Sequence, residues 1–246
     1  MYLDFSNTEI VLIALIFMWT AFVRSGLGFG GIALGLPLML LLRDEALLWL
    51  PIFGIHVLVF SSLALSSRLK DVDWKYLKHS VPYIAPATLV GIFGVISLPN
   101  HILVMCVYGF TLIYAIMWLI NWTLSSHHAL TEKLLLVFGG YIVGMALPGM
   151  TLMSSVFMRH VSKEQVRNTL YVLMISITTV RLGSFLAADI NMHYLFALAL
   201  IPFAYIGHYL GMKAHDFIMQ NSELFKRIVG GMLIVISLIG LIKLAL

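Results

Sequence analysis

An all-α integral membrane protein is the fold class this sequence predicts, and three observations predict it. Of its 246 residues, 61% are hydrophobic and only 11% charged, with a mean hydropathy of +1.00. A water-soluble domain of that length cannot hide so much apolar surface. Charge-free runs recur at the length a helix needs to cross a hydrocarbon core, about 20 residues for about 30 Å. Strand-like alternation of apolar and polar residues is absent, which excludes a barrel.

The runs can be taken in order. The opening MYLDFSNTE carries two acids and no basic residue, the wrong flank for a cleaved secretory signal, so the first apolar segment is expected to stay. Runs 10–23 and 25–42 flank Arg24, and 46–67 forms one span. From 79 to 131 there is no Asp, Glu, Lys or Arg, too long a stretch for one helix. SLPNH at 97–101 supplies a turn, giving spans at 80–97 and 102–122. Next come 134–158, then 168–188 interrupted only by Arg181, and finally spans near 193–212 and 226–246.

The polar connector NWTLSSHHALTEK divides the chain near its middle. Residues 1–122 and 134–246 then read alike, as two membrane repeats joined by a cytoplasmic connector at 123–133. Each repeat is one glycine-broken element, re-entrant or kinked, followed by three ordinary spans. SGLGFGGIALGLP (25–37) can be laid on VGMALPGMTLMSS (143–155), with Gly26 over Gly144 and Gly31 over Gly149. Four basic residues lie in 66–79, three in 159–167, three in 213–227 and one in 121–133, while the turns at 97–101 and 189–193 have none. The positive-inside rule places the first four segments in the cytoplasm. Segments 121–133 and 159–167 then share a side although 134–158 separates them, so that element is expected to enter and leave by one face. If 8–42 does the same, each half makes three crossings, the second half is inverted and both termini lie outside. Eight full spans in a parallel repeat is the alternative.

A broken helix leaves backbone amides that hydrocarbon cannot satisfy, so a break is tolerated only where protein or water covers it. Gly26, Gly28, Gly30 and Gly31, followed by Pro37, are too dense for helix packing alone. The restarting half-helices offer free N–H groups and a positive dipole end. Arg24 and Arg181 are the lone charges in their apolar regions, and all eleven acids lie near predicted boundaries. A buried cation without a protein counter-ion suggests an anionic cargo. Guanidinium suits an oxyanion, which it can hold with two parallel hydrogen bonds; snorkelling to a headgroup is the competing reading. The candidate binding set is therefore Arg24, Gly28, Gly30, Gly31, Pro148, Gly149, Thr151 and Arg181. His56 and His208, the histidines well inside a span, are candidates for proton coupling. Ser154, Ser155, Ser176, Thr178 and Thr179 could donate to an anion, although such hydroxyls mostly bond their own helix. The tryptophans mostly fall near predicted ends, as interfacial anchors do.

GLGFGGIALGLPLMLL, the basic SSRLKDVDW after the next span, and a second, degenerate glycine–proline element together resemble the TauE/SafE family, the sulfite and organosulfur-anion exporters also called TSUP permeases. The resemblance covers essentially the whole chain. The second element departs from the family pattern, showing GMALPGMTLMSS where another glycine cluster often precedes a proline. The resemblance implies export of a small anion, sulfite or a sulfonate, across a bacterial inner membrane.

The expected partners are thus a small anionic substrate and the lipid bilayer, with a homodimer left open and no nucleic acid; neither cofactor nor metal is expected. Cys106, the single cysteine, forms no intrachain disulfide. No GxxxxGK[ST] is present, so ATP hydrolysis is not expected. A permease for another small anion or metabolite is the nearest alternative. An intramembrane hydrolase would need a pair such as Ser25–His56, which no GxSxG frames. A metal permease would need clustered ligands, and intramembrane His–X₃–His and Met–X₃–Met pairs are missing. A non-transporting assembly factor is disfavoured by the buried arginines.

Overall fold

The structure, a computed structural model, describes residues 4–27, 31–66, 68–122, 128–146 and 148–245, the side chains of 31–33 excepted. The described residues form α-helices with no strand: α1 (Asn7–Leu27), α2 (Gly31–Leu42), α3 (Ala46–Leu65), α4 (Trp74–Ser97), α5 (Asn100–Leu119), α6 (Ala129–Gly144), α7 (Met150–His160), α8 (Lys163–Ala187), α9 (Tyr194–Gln220) and α10 (Ser222–Ala245). Seven are long and apolar enough to cross a membrane: α1, α3, α4, α5, α8, α9 and α10. The fold class is as the composition predicts, a multi-pass helical membrane protein.

The boundaries differ from the hydropathy reading where polar residues continue a helix. α4 begins at Trp74 because Asp73 caps it, its carboxylate accepting from the Tyr76 amide at 2.9 Å. α8 begins at Lys163, five residues before its charge-free run, after the Ser162 N-cap. α9 runs on to Gln220, so Lys213 lies on a helix and not in a loop. Hydropathy marks where lipid begins, whereas helix ends follow caps. Among the tryptophans, Trp74 and Trp122 are exposed, but Trp49 and Trp118 are core residues, a correction to the anchor reading. The Trp49 indole N–H instead donates to the Arg43 carbonyl at 3.0 Å.

Two compact units result, and each draws on both halves of the sequence. One comprises Met1–Trp49, Asn100–Asn121 and His193–Leu246; the other comprises Leu50–Pro99 and Trp122–Met192.

In the first unit, α1 and α9 run parallel with backbones in contact. A Cβ at Gly207 would overlap the Met18 backbone, and one at Gly211 the Phe22 carbonyl. α5 and α10 run antiparallel; Gly240 lies against the Tyr108 ring, and Gly230 against Ala115 and Trp118. The Tyr108 hydroxyl donates to the Pro37 carbonyl at 3.3 Å, tying α5 to α2. Val23, Leu27, Leu34, Trp118, Ile218 and Leu233 are among the core between them.

In the second unit, α4 and α6 run parallel, and a Cβ at Gly144 would overlap the Thr88 carbonyl, one at Gly140 the Ile84 carbonyl. The core of this unit includes Leu77, Ile84, Leu136, Met153, Phe157 and Leu173. The Asp73 amide donates to Thr169 Oγ1 at 3.0 Å, so α4 and α8 start at one end.

Candidate functional site

The second broken element is a hairpin. α6 has 16 residues and α7 has 11, about 24 and 17 Å of helix, both short of a membrane crossing. They run antiparallel: Glu132 at the start of α6 forms an ion pair with Arg159 at the end of α7, and His160 Nε2 lies 2.9 Å from its other carboxylate oxygen. Near the tip, a Cβ at Gly149 would come within 2.8 Å of the Val143 amide nitrogen. The Tyr76 ring stacks on His160 at 5.0 Å and meets the Phe157 edge at 5.1 Å. The starts of α4, α6 and α8 and the end of α7 therefore gather at one end. Trp74, His128 and Ser162, which begin or cap those helices, thus lie at one end of this unit. Gly144 packs on Gly91, so α6 ends six residues, about 9 Å, before the end of α4 at Ser97. Burial alone would push the Glu132 carboxyl up, but hydrogen bonds from Arg159 and His160 outweigh it and hold the group below its usual range.

The first broken element closes in a similar way. Glu9 in the first turn of α1 lies 3.9 Å from Arg43, just past α2, and the Arg43 guanidinium sits 4.2 Å from the Phe5 ring centre. Its ends thus meet although α1 itself, at 21 residues, is long enough to span. In both elements the break falls where the glycines align. Gly26 lies in the last turn of α1 and Gly144 ends α6; Gly31 opens α2 and Gly149 is the N-cap of α7.

Arg181 is 2% exposed, in the core of its unit. Its Nη1 donates to the Val143 carbonyl at 3.2 Å, in the last turn of α6. That carbonyl is one the broken helix leaves orphaned, and a cation suits the negative dipole end. Its Nε is buried without a partner among the described residues, and no carboxylate pairs with it there. Pro148 and Gly149 continue the same break, and the Thr151 hydroxyl donates to the Pro148 carbonyl at 3.2 Å. Ser154, Ser155, Ser176 and Thr179 likewise bond carbonyls three or four residues back on their own helices.

Arg24 is 6% exposed in the last turn of α1, again away from solvent. The next residue, Ser25, is buried with its Oγ 2.6 Å from His208 Nδ1 on α9. His215, seven residues further along α9, donates its Nδ1–H to the Gly26 carbonyl at 2.8 Å. Gly28 and Gly30 lie outside the described residues. His56 is buried on α3, its ring 6.0 Å from Phe60. Ser25 is thus paired with His208. Arg24, Gly31 and His208 belong to the first unit, and His56, Pro148, Gly149, Thr151 and Arg181 to the second. Among the described residues no group of three or more His, Cys, Asp or Glu is placed to hold a metal ion.

Three features escape a reading of the sequence. Gly140–X₃–Gly144 and Gly207–X₃–Gly211 are small-X₃-small pairs, a legible signal, and each lies against a neighbouring helix backbone. The acid–arginine closures Glu9–Arg43 and Glu132–Arg159 join residues 34 and 27 positions apart, which no local pattern reports. His215 is a helix-end donor within a stretch whose charges read as a loop.

Span-length helices, two broken elements and buried basic side chains beside the breaks define the class, a polytopic helical membrane protein. The chain belongs to the family described as sulfite exporter TauE/SafE, which matches residues 12–239, nearly its whole length. No curated protein and no solved structure matched it.

Proposed function

We propose that the protein is a secondary exporter of a small oxyanion, sulfite or an organosulfonate, across a bacterial inner membrane, with no catalytic step. One observation carries the reading beyond family membership. Arg181 is buried at the tip of the second hairpin with one N–H used on the Val143 carbonyl, its Nε unpartnered among the described residues and no acid nearby. A guanidinium in that state calls for an anion, and α7 begins at the same break with the positive end of its dipole. Arg24, buried in the last turn of α1, is the corresponding basic residue of the first unit. The aligned glycines and the two closed hairpins support a repeat; it is an inverted one if α1 and α2 together re-enter as α6 and α7 do, which leaves three crossings per half. The membrane potential, negative inside, drives an anion outward without ATP.

The test is an anion panel on the purified protein, scored by thermal shift, with Arg24→Ala, Arg181→Ala and Arg181→Lys beside the wild type. Sulfite or methanesulfonate is expected to raise the wild-type melting temperature. Arg181→Ala is expected to lose that rise and to melt lower by itself, since an unsatisfied buried carbonyl costs about 1–3 kcal/mol. Arg181→Lys keeps the charge but not the planar fork, so it should regain part of the intrinsic stability and little of the anion effect. Equal anion stabilisation in all four proteins refutes the arginine assignment. Uptake into or efflux from proteoliposomes with unchanged substrate separates transport from catalysis.

A further inference from the structure

Several hydroxyls of the second unit are spent on their own helices: Ser154, Ser155, Ser176, Thr179 and Ser184 each donate to a carbonyl three or four residues back. Ser61 on α3, in the same unit, is different. It is 2% exposed, and its Oγ has no hydrogen-bond partner among the described residues. Arg181 on α8 carries a second unmet donor, its Nε. A polar group buried in that state costs free energy unless a ligand completes it.

The two side chains come to one depth. α3 and α8 run antiparallel, with Gly54 against the Leu182 side chain and Leu65 clustered with Tyr171. Gly54, Ser61 and Leu65 are spaced i, i+7, i+11 and share one face of α3; Tyr171, Thr178 and Leu182 repeat that spacing on α8. Ser61 therefore lies on the face turned to α8. It is level with Ile175, which follows Tyr171 by the four residues that separate Ser61 from Leu65. The Arg181 guanidinium is displaced from its own Cα toward the start of α8. Its Nη1 reaches the Val143 carbonyl, about 21 Å along α6 from Ala129, and the same rise along α8 from Lys163 ends at Ile177. Side chains lean toward the N-terminus of their helix, which carries Arg181 toward Ser61 and, on the antiparallel α3, Ser61 toward Arg181. Hydroxyl and guanidinium thus stand within about one helical turn of each other along the seam.

The seam offers donors and no acid. α3 has no Asp or Glu, and α8 has only Glu164, in its first turn. With Nη1 committed to Val143, the Nε edge of the guanidinium fork and the Ser61 O–H are the two groups left to donate.

We infer that Ser61 is a specificity-determining residue of the oxyanion site, its hydroxyl donating to one oxygen of the anion while the Arg181 Nε–H donates to another. The inference rests on the oxyanion reading and adds the α3 residue that completes it. Two donors on facing helices suit an anion with at least two unprotonated oxygens on one atom, as a sulfonate has.

The experiment is calorimetric titration of the purified full-length protein with methanesulfonate, with the anion-free melting temperature measured beside it. Ser61→Ala is expected to bind about ten- to hundredfold more weakly than wild type, the size of one hydrogen bond to a charged group. It should melt no lower than wild type without anion, because it removes a polar atom that the fold does not satisfy. Ser61→Cys nearly keeps the volume with a weaker donor; it should bind between the two, and it serves where Ser61→Ala does not fold. Ser176→Ala, whose hydroxyl is bonded to Val172 on its own helix, should bind as wild type does. Wild-type affinity in Ser61→Ala or Ser61→Cys overturns the Ser61 assignment and leaves the oxyanion reading standing. So does weakened binding in Ser61→Ala that comes with a lower anion-free melting temperature, which would give the hydroxyl to the fold. Absence of methanesulfonate binding to wild type, with sulfite also inert in the thermal-shift panel, overturns both.

Discussion

Glu132 holds two partners at once, the Arg159 guanidinium and the His160 ring, from the last two residues of α7, and the second hairpin closes on that contact. Its carboxyl titrates below the usual range, so the folded-state pKa lies below the unfolded one. The stabilisation it contributes is therefore complete above the unfolded value, about 4.3, and is lost as pH falls through the folded value. Amide-exchange protection of α7 is expected to drop in that acid window for wild type. Glu132→Gln should show the lower protection already at neutral pH, with no comparable acid step. An acid step of wild-type size in the variant would remove Glu132 from the closure. Single residues also mark how far sequence reasoning reaches. Arg24 and Arg181 stand out because a charge in an apolar run is visible in one dimension. That Arg181 donates to Val143, 38 positions earlier, is not visible there, because the pairing depends on how α8 meets the end of α6.

The helices associate through glycine, which lets backbones touch where lipid supplies no hydrophobic drive for association. Gly140 and Gly144 on α6 meet α4, and Gly207 and Gly211 on α9 meet α1, with no room for a methyl group at any of the four. Gly144→Ala and Gly211→Ala are each expected to destabilise by about 1–3 kcal/mol or to prevent assembly, as overpacking does. At Gly109 and Gly231 an added Cβ would meet nothing within 4 Å. There, Gly→Ala should be neutral or raise stability by up to about 1 kcal/mol through helix propensity. Thermal unfolding of the four variants in detergent separates the two groups, and equal effects would contradict the contact assignment. The broken elements themselves are legible as glycine clusters between apolar runs. Their hairpin form is foreshadowed by loop charge, because lysine and arginine counts report sidedness and not helix length. Helix lengths are less legible at α8 and α9, where polar residues at Lys163 and beyond Lys213 extend the helix past the apolar run.

For the molecule as a whole, sidedness is the property to test. His128 precedes α6 and Ser162 caps α8, and the closure of the hairpin brings these segments to one end. With Cys106 replaced, cysteines introduced at His128 and Ser162 are expected to label from the same side of the membrane, the cytoplasmic one. Labelling from opposite faces would contradict a re-entrant element. The division into two units is not legible in the sequence at all. The chain reads as two consecutive halves, yet each unit takes helices from both: α1 packs on α9 in one, and α4 on α6 in the other. Order along the chain carries the evidence for duplication, and contact between helices carries the packing.

Taken alone, the order of residues is enough to establish a multi-pass helical membrane protein, its two breaks and its TauE/SafE membership, and to predict the sidedness of its loops. Each of these follows from short-range composition: apolar length against bilayer thickness, glycine density, and lysine and arginine counts. The partner of each helix, the ion pairs that close the hairpins, the role of Arg181 at the end of α6 and the meeting of Ser25 with His208 emerge only on folding. Those contacts join residues tens to nearly two hundred positions apart, and distance along a chain says nothing about distance in space until the helices have packed.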